Sequence, residues 1–334
     1  MATIREDWLK RTIEEPLEPD LPICDTHHHL WDRQGSHYLL EDLLKDTTGN
    51  NIVQTVFIEC REAYRKDGPD EMRPLGEIEF VESIAARSAS GQYGTTRVAA
   101  GIVGFADLTL GEAVAPVLEA HMAVSPARFR GVRHISTFDA SPDIQSRKIP
   151  HLLLNPKFRE GFACLKKYGL SFDAWMFHTQ LLDLVDLARS FPDTTMILDH
   201  VGTPLGIGPY AGKSKEMFQD WQRGIAALAR CPNVVVKMGG FGMSHLGFRW
   251  TAWPEPPDSA ELSQAIEPYF SWCIAKFGVD RCMFESNFPV DKEGFSYNIL
   301  CNAFKRLSKD FSPTERAALF HDTAVKVYRL PANR

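Results

Sequence analysis

No stretch of the chain approaches the roughly 18 consecutive apolar residues that span a bilayer, so a transmembrane helix is not expected. The first 20 residues are polar, acidic and proline-containing, with no apolar run of the kind a secretory leader carries. A protein of the cytoplasm, free of the membrane, is the expectation. Seven cysteines, an odd number without paired spacing, supply neither a disulfide framework nor a C-x-x-C zinc site, and read as reduced thiols. Runs of lysine and arginine are missing, and the net charge is −6, which argues against nucleic acid as a partner. A G-x-G-x-x-G or Walker loop is absent too, so nothing favours a nucleotide-binding open sheet.

What remains is 334 residues of ordinary globular composition, 44% hydrophobic and 24% charged, enough for one large core. Behind a polar extension over residues 1–20, the chain opens at 21 with an apolar lead-in, Leu21-Pro22-Ile23, that runs into Cys24-Asp25-Thr26-His27-His28-His29-Leu30-Trp31-Asp32. On an extended strand side chains alternate, so Asp25, His27 and His29 share one face and His28 takes the other. Two neutral imidazoles at i and i+2 reach a common point and suit zinc, iron or nickel.

From there, strand-like and helix-like segments alternate eight times. The strands are expected at the lead-in, 52–58, 98–105, 129–135, 170–177, 194–199, 234–238 and 281–285. Helical patterns fall between them, among them 76–90, 111–122, 181–190 and 259–277, with Asn155-Pro156 as a cap and first helical residue. Two further helices, 298–308 and 313–328, follow the last strand. Such alternation predicts parallel strands with crossover helices, and eight units predict a single-domain α/β protein, a closed (β/α)8 TIM barrel over 21–330 with an extra C-terminal helix.

In such a barrel the chemistry gathers where strands end. The predicted ends carry His27, His29, Glu59, Arg61, Asp107, Arg133, His134, His178, His200, Lys237, Asn287 and Asp291. Five of eleven histidines therefore meet one face.

The three stretches Asp25-Thr26-His27-His28-His29-Leu30-Trp31-Asp32, Leu198-Asp199-His200-Val201-Gly202-Thr203-Pro204 and Phe284-Glu285-Ser286-Asn287-Phe288-Pro289-Val290 occur in this order. Together they resemble the amidohydrolase superfamily, in particular its lactonase-like branch of sugar lactonases, sulfomuconolactone hydrolase and pyrone dicarboxylate lactonase. The resemblance implies that His27 and His29 bind a divalent metal, most simply zinc, or polarise the substrate. It matches His178 and His200 to the later family histidines, His178 completing a ligand set with His27 and His29. Arg133 would meet a substrate carboxylate. The fourth strand has no lysine, which speaks against a two-metal site.

At the eighth strand the family places an aspartate that binds metal and accepts the proton of the attacking water; this chain has Asn287. An amide is no base and adds no negative charge. The base is therefore sought among Glu59, Asp291 and the deeper Glu285. Glu59 ranks first because it ends an otherwise apolar strand, where an acid has no packing reason to be. The expected activity is hydrolysis of a small, carboxylated lactone or related cyclic ester or amide, with Arg61, Arg65, Arg130, Arg133 and Arg249 favouring an anionic substrate. A decarboxylase of aromatic or hydroxy acids and a barrel that only binds a ligand are the alternatives, and a homo-oligomer is left open. Finally, Gly239 to Pro254, which opens on the three glycines Gly239, Gly240 and Gly242 and carries Phe241, Phe248, Trp250 and Trp253, is expected to form a lid over the substrate, Trp250 touching it.

Overall fold

A computed structural model describes residues 4–147 and 149–331. Short segments rich in valine, isoleucine and phenylalanine extend and pair in parallel in chain order. They are β1 (Ile23–His28), β2 (Ile52–Ile58), β3 (Arg97–Gly104), β4 (Phe129–Arg133), β5 (Ser171–Ala174), β6 (Met196–Leu198), β7 (Val234–Met238) and β8 (Cys282–Phe284). Parallel neighbours need crossovers, and the amphipathic helices provide them. Leu75–Ala89, Ala115–Val124, Pro156–Lys167, Leu181–Ser190, Ser214–Leu228 and Ser259–Phe277 each turn an apolar stripe to the strands. The seam between β8 and β1 is closed by backbone beyond β8: the Asn287 N–H donates to the His27 carbonyl and the His29 N–H to the Phe288 carbonyl, both at 2.8 Å. The architecture is the (β/α)8 barrel that the alternation predicts.

Two departures matter for the site. First, β5 ends at Ala174, not near residue 177. Trp175, Met176 and Phe177 are apolar but run as a loop, tied to the loop after β4 by Ser136 N–H donating to the Trp175 carbonyl. Gln180 adds to the tie by donating to the Ser136 carbonyl. Second, the register of β1 against β2 shifts between Asp25 and His28. Asp25 consequently does not share the face of His27 and His29. Its carboxylate accepts from the Ser286 N–H and hydroxyl and from the Tyr297 hydroxyl, fastening β1 to the β8 loop.

The end of the chain stoppers the barrel floor. In the helix Thr323–Tyr328, Ala324 and Tyr328 pack with Val56, Val103, Ile197, Val235 and Met283 from the strands. At the other face a hairpin, Trp31–Arg33 with Ser36–Tyr38, follows β1. The N-terminal extension lies against the barrel: Trp8 and Leu9 of the helix Glu6–Leu9 are buried. All seven cysteines are free. Among the described residues no helix is long and apolar enough to cross a membrane.

His28 points away from the barrel axis, as alternation requires, and its role is structural. The Ala99 N–H donates to Thr55 Oγ1 at 2.8 Å, so the Thr55 proton is left to donate to His28 Nε2, also at 2.8 Å. Burial pushes the His28 pKa down to about 3, so the ring stays neutral and accepts. Replacing His28 with alanine should lower unfolding free energy by about 1–3 kcal/mol, the cost of a buried hydroxyl without its acceptor. Urea denaturation should show that loss while kcat/KM stays within about twofold of wild type; a large catalytic defect at unchanged stability would contradict the assignment.

Candidate active site

Lys237, one residue before the carboxyl end of β7, has an ammonium wholly removed from water. It lies 2.7 Å from Asp173 Oδ2 on β5, 3.0 Å from Asp199 Oδ1 just past β6 and 3.3 Å from His27 Nδ1 on β1. Burial opposes its charge, yet Asp173 and then Asp199 outweigh that and hold its pKa above the ordinary lysine value. Tyr328 reaches up from the floor and donates to Asp173 at 2.6 Å.

Above this pair stand the imidazoles. His29 Nδ1 lies 2.8 Å from the Ile58 carbonyl, which can only accept, so Nδ1 carries the proton and Nε2 a lone pair. That lone pair faces His27 Nε2 at 3.3 Å. His200 Nδ1 sits 2.7 Å from Glu285 Oε1, and the His200 N–H donates to the same oxygen at 2.9 Å. Burial would raise the Glu285 carboxyl, but His200 and then His27 pull its pKa down to about 2. Burial, with Lys237 beside it, keeps His27 well below the usual imidazole range; burial and Arg133 do the same for His29.

The donor set is that of a cation site. His27, Asp199 and His200 present ligand atoms all within 4.8 Å of one another. Two nitrogens bound at about 2.0–2.1 Å to one tetrahedral zinc lie roughly 3.3 Å apart, the spacing of the His27 and His29 Nε2 atoms. The outer nitrogens of His29 and His200 are held by a carbonyl and a carboxylate, as metal-binding imidazoles usually are. With the His27 proton on Nδ1, beside Glu285 Oε2 at 2.9 Å, its Nε2 lone pair can accept from the Arg133 guanidinium at 3.3 Å and also faces the lone pair of His29 Nε2. A cation between the imidazoles would use both lone pairs.

The other predicted residues are placed as follows. Glu59 and Arg133 form a buried pair, with Arg133 Nε donating to Glu59 Oε1 at 2.9 Å and a terminal nitrogen donating to the Glu59 carbonyl. Arg133 therefore spends its fork on Glu59 and is not free to clamp a substrate carboxylate. Glu59 lines the cleft, and its buried Oε2 has no hydrogen-bond partner. His178 does not join His27 and His29: lying four residues past the end of β5, it accepts from the Leu205 N–H at 3.2 Å and meets the Tyr210 ring edge-on. Asn287 is held in a left-handed turn (φ 56°) and donates to Asp291 Oδ1 at 2.8 Å. An aspartate there could not make that bond. Asp291 is fully buried, and burial pushes its pKa up to about 7 against the opposing Gly242 N–H.

Trp250 is also not where a substrate contact needs it. Its ring is buried between Phe248 and Trp253, and its N–H donates to the Phe241 carbonyl at 2.8 Å. The cleft over the imidazoles, about 710 Å³, is walled instead by Trp31 and Trp175. Of the five arginines expected to attract an anion, only Arg61 and Arg133 line it; Arg65 is paired with Glu79. Arg33 and Arg147 complete the set. Asp173, Asp199, Trp175 and Arg147 were not picked out by sequence reasoning. Asp173 sits inside a short apolar strand, and Asp199 sits beside the histidine that drew attention.

A barrel with imidazoles, carboxylates and a buried ammonium at the carboxyl ends of its strands is built as a catalytic centre. The chain belongs to the amidohydrolase family, whose model matches residues 24–330. It is 34% identical over 93% of its length to the y4mH protein of Sinorhizobium fredii, covering 99% of that protein. It is 26% identical to the L-fucono-1,5-lactonase of Burkholderia ambifaria, over 80% of this chain and 87% of the lactonase. A zinc-bound amidohydrolase from Burkholderia multivorans shares the fold, with a TM-score of 0.71 at 24% identity over 92% of this chain and 99% of that one.

Beneath Glu59 lies a second buried acid. Glu77 Oε1 accepts from the N–H groups of Cys60 and Glu62, both at 2.8 Å. Burial, then the Glu59 charge, raise its pKa to about 8, so near neutrality it is held protonated. The unfolded carboxyl titrates near 4.3, so between about pH 4 and 8 the folded state holds the extra proton and stability falls as pH rises. Glu77→Gln keeps the acceptor and removes the titration. Its stability relative to wild type should therefore increase from pH 5 to pH 8, by up to about 1.4 kcal/mol per pH unit, in urea melts at the two pH values. A constant difference would show that Glu77 is ionised throughout.

Proposed function

We infer that the protein hydrolyses a small lactone. The observation that carries this reading is a buried carboxylate oxygen without a partner, Glu59 Oε2, on a residue that lines the same cleft as His29. Lactone opening needs a base for the attacking water and positive charge where the carbonyl oxygen becomes anionic. Glu59 takes the proton of water through Oε2. Arg133 grips the other oxygen and so fixes the direction of the free one. A terminal nitrogen of Arg133, 3.3 Å from His27 Nε2, brings fixed positive charge to the imidazole pair.

A divalent ion, for which zinc fits the imidazole-rich donors, would be held by His27, His29 and His200 with Asp199 nearby, and would supply an electrophile for the carbonyl. His200 is set by Glu285 and His27 by Lys237 and Glu285, so both rings are oriented before substrate arrives. Trp31 and Trp175 give the cleft flat apolar walls that suit a planar ring. Their indoles take the contact that the sequence assigned to Trp250. Collapse of the ester sends the electron pair of the broken C–O bond to the ring oxygen, and the proton held by Glu59 returns to it, leaving a hydroxy acid. The likeness to L-fucono-1,5-lactonase supports the same class of reaction.

Incubating the metal-analysed protein with a panel of five- and six-membered lactones should release acid, followed in a pH-stat and by NMR of the hydroxy acid. Glu59→Gln should lower kcat at least about a hundredfold with substrate affinity within a few fold. His29→Ala should lower kcat comparably and reduce bound metal. Carbon dioxide release from an aromatic or hydroxy acid would replace the hydrolase by a lyase, and tight binding without turnover would make the barrel a binding protein.

A further inference from the structure

The wall of the cleft beside Glu59 continues into a side cavity of about 110 Å³, lined by Phe105, His134, Ile135, Ile149 and Leu152. Arg61 and Arg147 line both the cleft and this cavity. Every other arginine on the cleft has partners: Arg133 has Glu59, and Arg33 has Glu62 and the Cys60 carbonyl. Among the described residues no hydrogen bond or ion pair is made by the guanidinium of Arg61 or of Arg147. Two cations thus line the same walls without an ion pair of their own, the nearest anion, Glu59, being engaged by Arg133. Burial, then the Arg61 charge, lower the Arg147 pKa, with the Glu59 carboxylate opposing.

Their backbones are held firmly while their side chains are unengaged. Glu77 Oε1 bonds the N–H groups on both sides of Arg61, and Arg61 itself adopts φ 65°, a left-handed conformation unfavourable for a side-chain-bearing residue. The Arg147 N–H is tied to the Thr137 carbonyl at 2.7 Å. Among the lining residues His134 has one further unpartnered polar atom, Nδ1.

We propose that Arg61 and Arg147 form a specificity site for a carboxylate, carried on a short apolar arm that enters the side cavity while the ring lies over His29. Planar forks with fixed charge suit a planar anion, and the apolar side chains of Phe105, Ile135, Ile149 and Leu152 suit the carbon that bears it. This deepens the lactone reading, which supplies the ring, but the anion site has its own test.

Benzoate and benzamide, matched in shape and differing in charge, are titrated calorimetrically into the full-length, metal-loaded protein. Benzoate should bind at least about tenfold more tightly, and Arg61→Gln or Arg147→Gln should each remove most of that preference without changing benzamide binding. In turnover, either variant should raise KM for a carboxylated butyrolactone about tenfold or more, with kcat within about threefold and the kinetics of its carboxamide unchanged. Equal binding of benzoate and benzamide, or benzoate binding indifferent to both substitutions, would overturn the proposal even if neutral lactones are hydrolysed. Charge-dependent benzoate binding lost in the variants, with no lactone turned over, would overturn the lactone reading and leave the anion site standing. Arg61→Lys, which keeps charge but not the fork, guards against misfolding as the cause: partial recovery of benzoate binding is expected.

Discussion

An ammonium group sealed from water at the barrel axis constrains everything above it. Placing Lys237 there carries a desolvation cost of several kcal/mol, which only close, well-directed anions offset. Asp173 and Asp199 do so from the two preceding strands, and Tyr328 holds Asp173 in place from the floor. One cation therefore ties β5, β6, β7 and the chain terminus to a single point. Because the same ammonium also touches His27, the first imidazole of the site is positioned by the interior of the barrel and not by its loops.

The barrel and half of the site were legible in the sequence. Strands at 52–58 and 234–238 and helices at 181–190 and 259–277 carry unbroken patterns and fold within the expected bounds. His27 and His29 were readable because period-two alternation survives locally. It fails two residues earlier, where the register shift turns Asp25 to the β8 loop. His178 was misplaced because Trp175 to Phe177 are as apolar as a strand but bond to the loop after β4, and apolarity alone does not distinguish a buried loop from a strand. Trp250 was misread for a related reason: an aromatic cluster can cover a ligand or itself, and here the rings stack on each other. The pairing of Arg133 with Glu59 joins residues 74 positions apart, a relation that no local pattern contains.

The acids of the site are graded by what surrounds them. Glu285 has two imidazoles against it and stays ionised; Asp291, with the Gly242 N–H, the more remote His200 and the Asn287 amide, is raised to about 7; Glu77, facing another carboxylate, is raised further to about 8. Burial is common to all three, so the neighbour decides. The protonated Glu77 spares Glu59 a second negative charge at close range and shapes the turn that carries Arg61.

The N-terminal segment reaches the loop beyond β7 through four side chains. Arg5, Trp8, Arg11 and Thr12 donate to the carbonyls of Thr251, Trp253, Pro254 and Pro256. All four acceptors are main-chain atoms, which every amino acid possesses. The anchoring is therefore blind to the identity of the anchored residues. Mutation can rewrite that loop side chain by side chain while its path over the barrel stays fixed, so new surface chemistry can be tried at this rim without first inventing a new way to hold it.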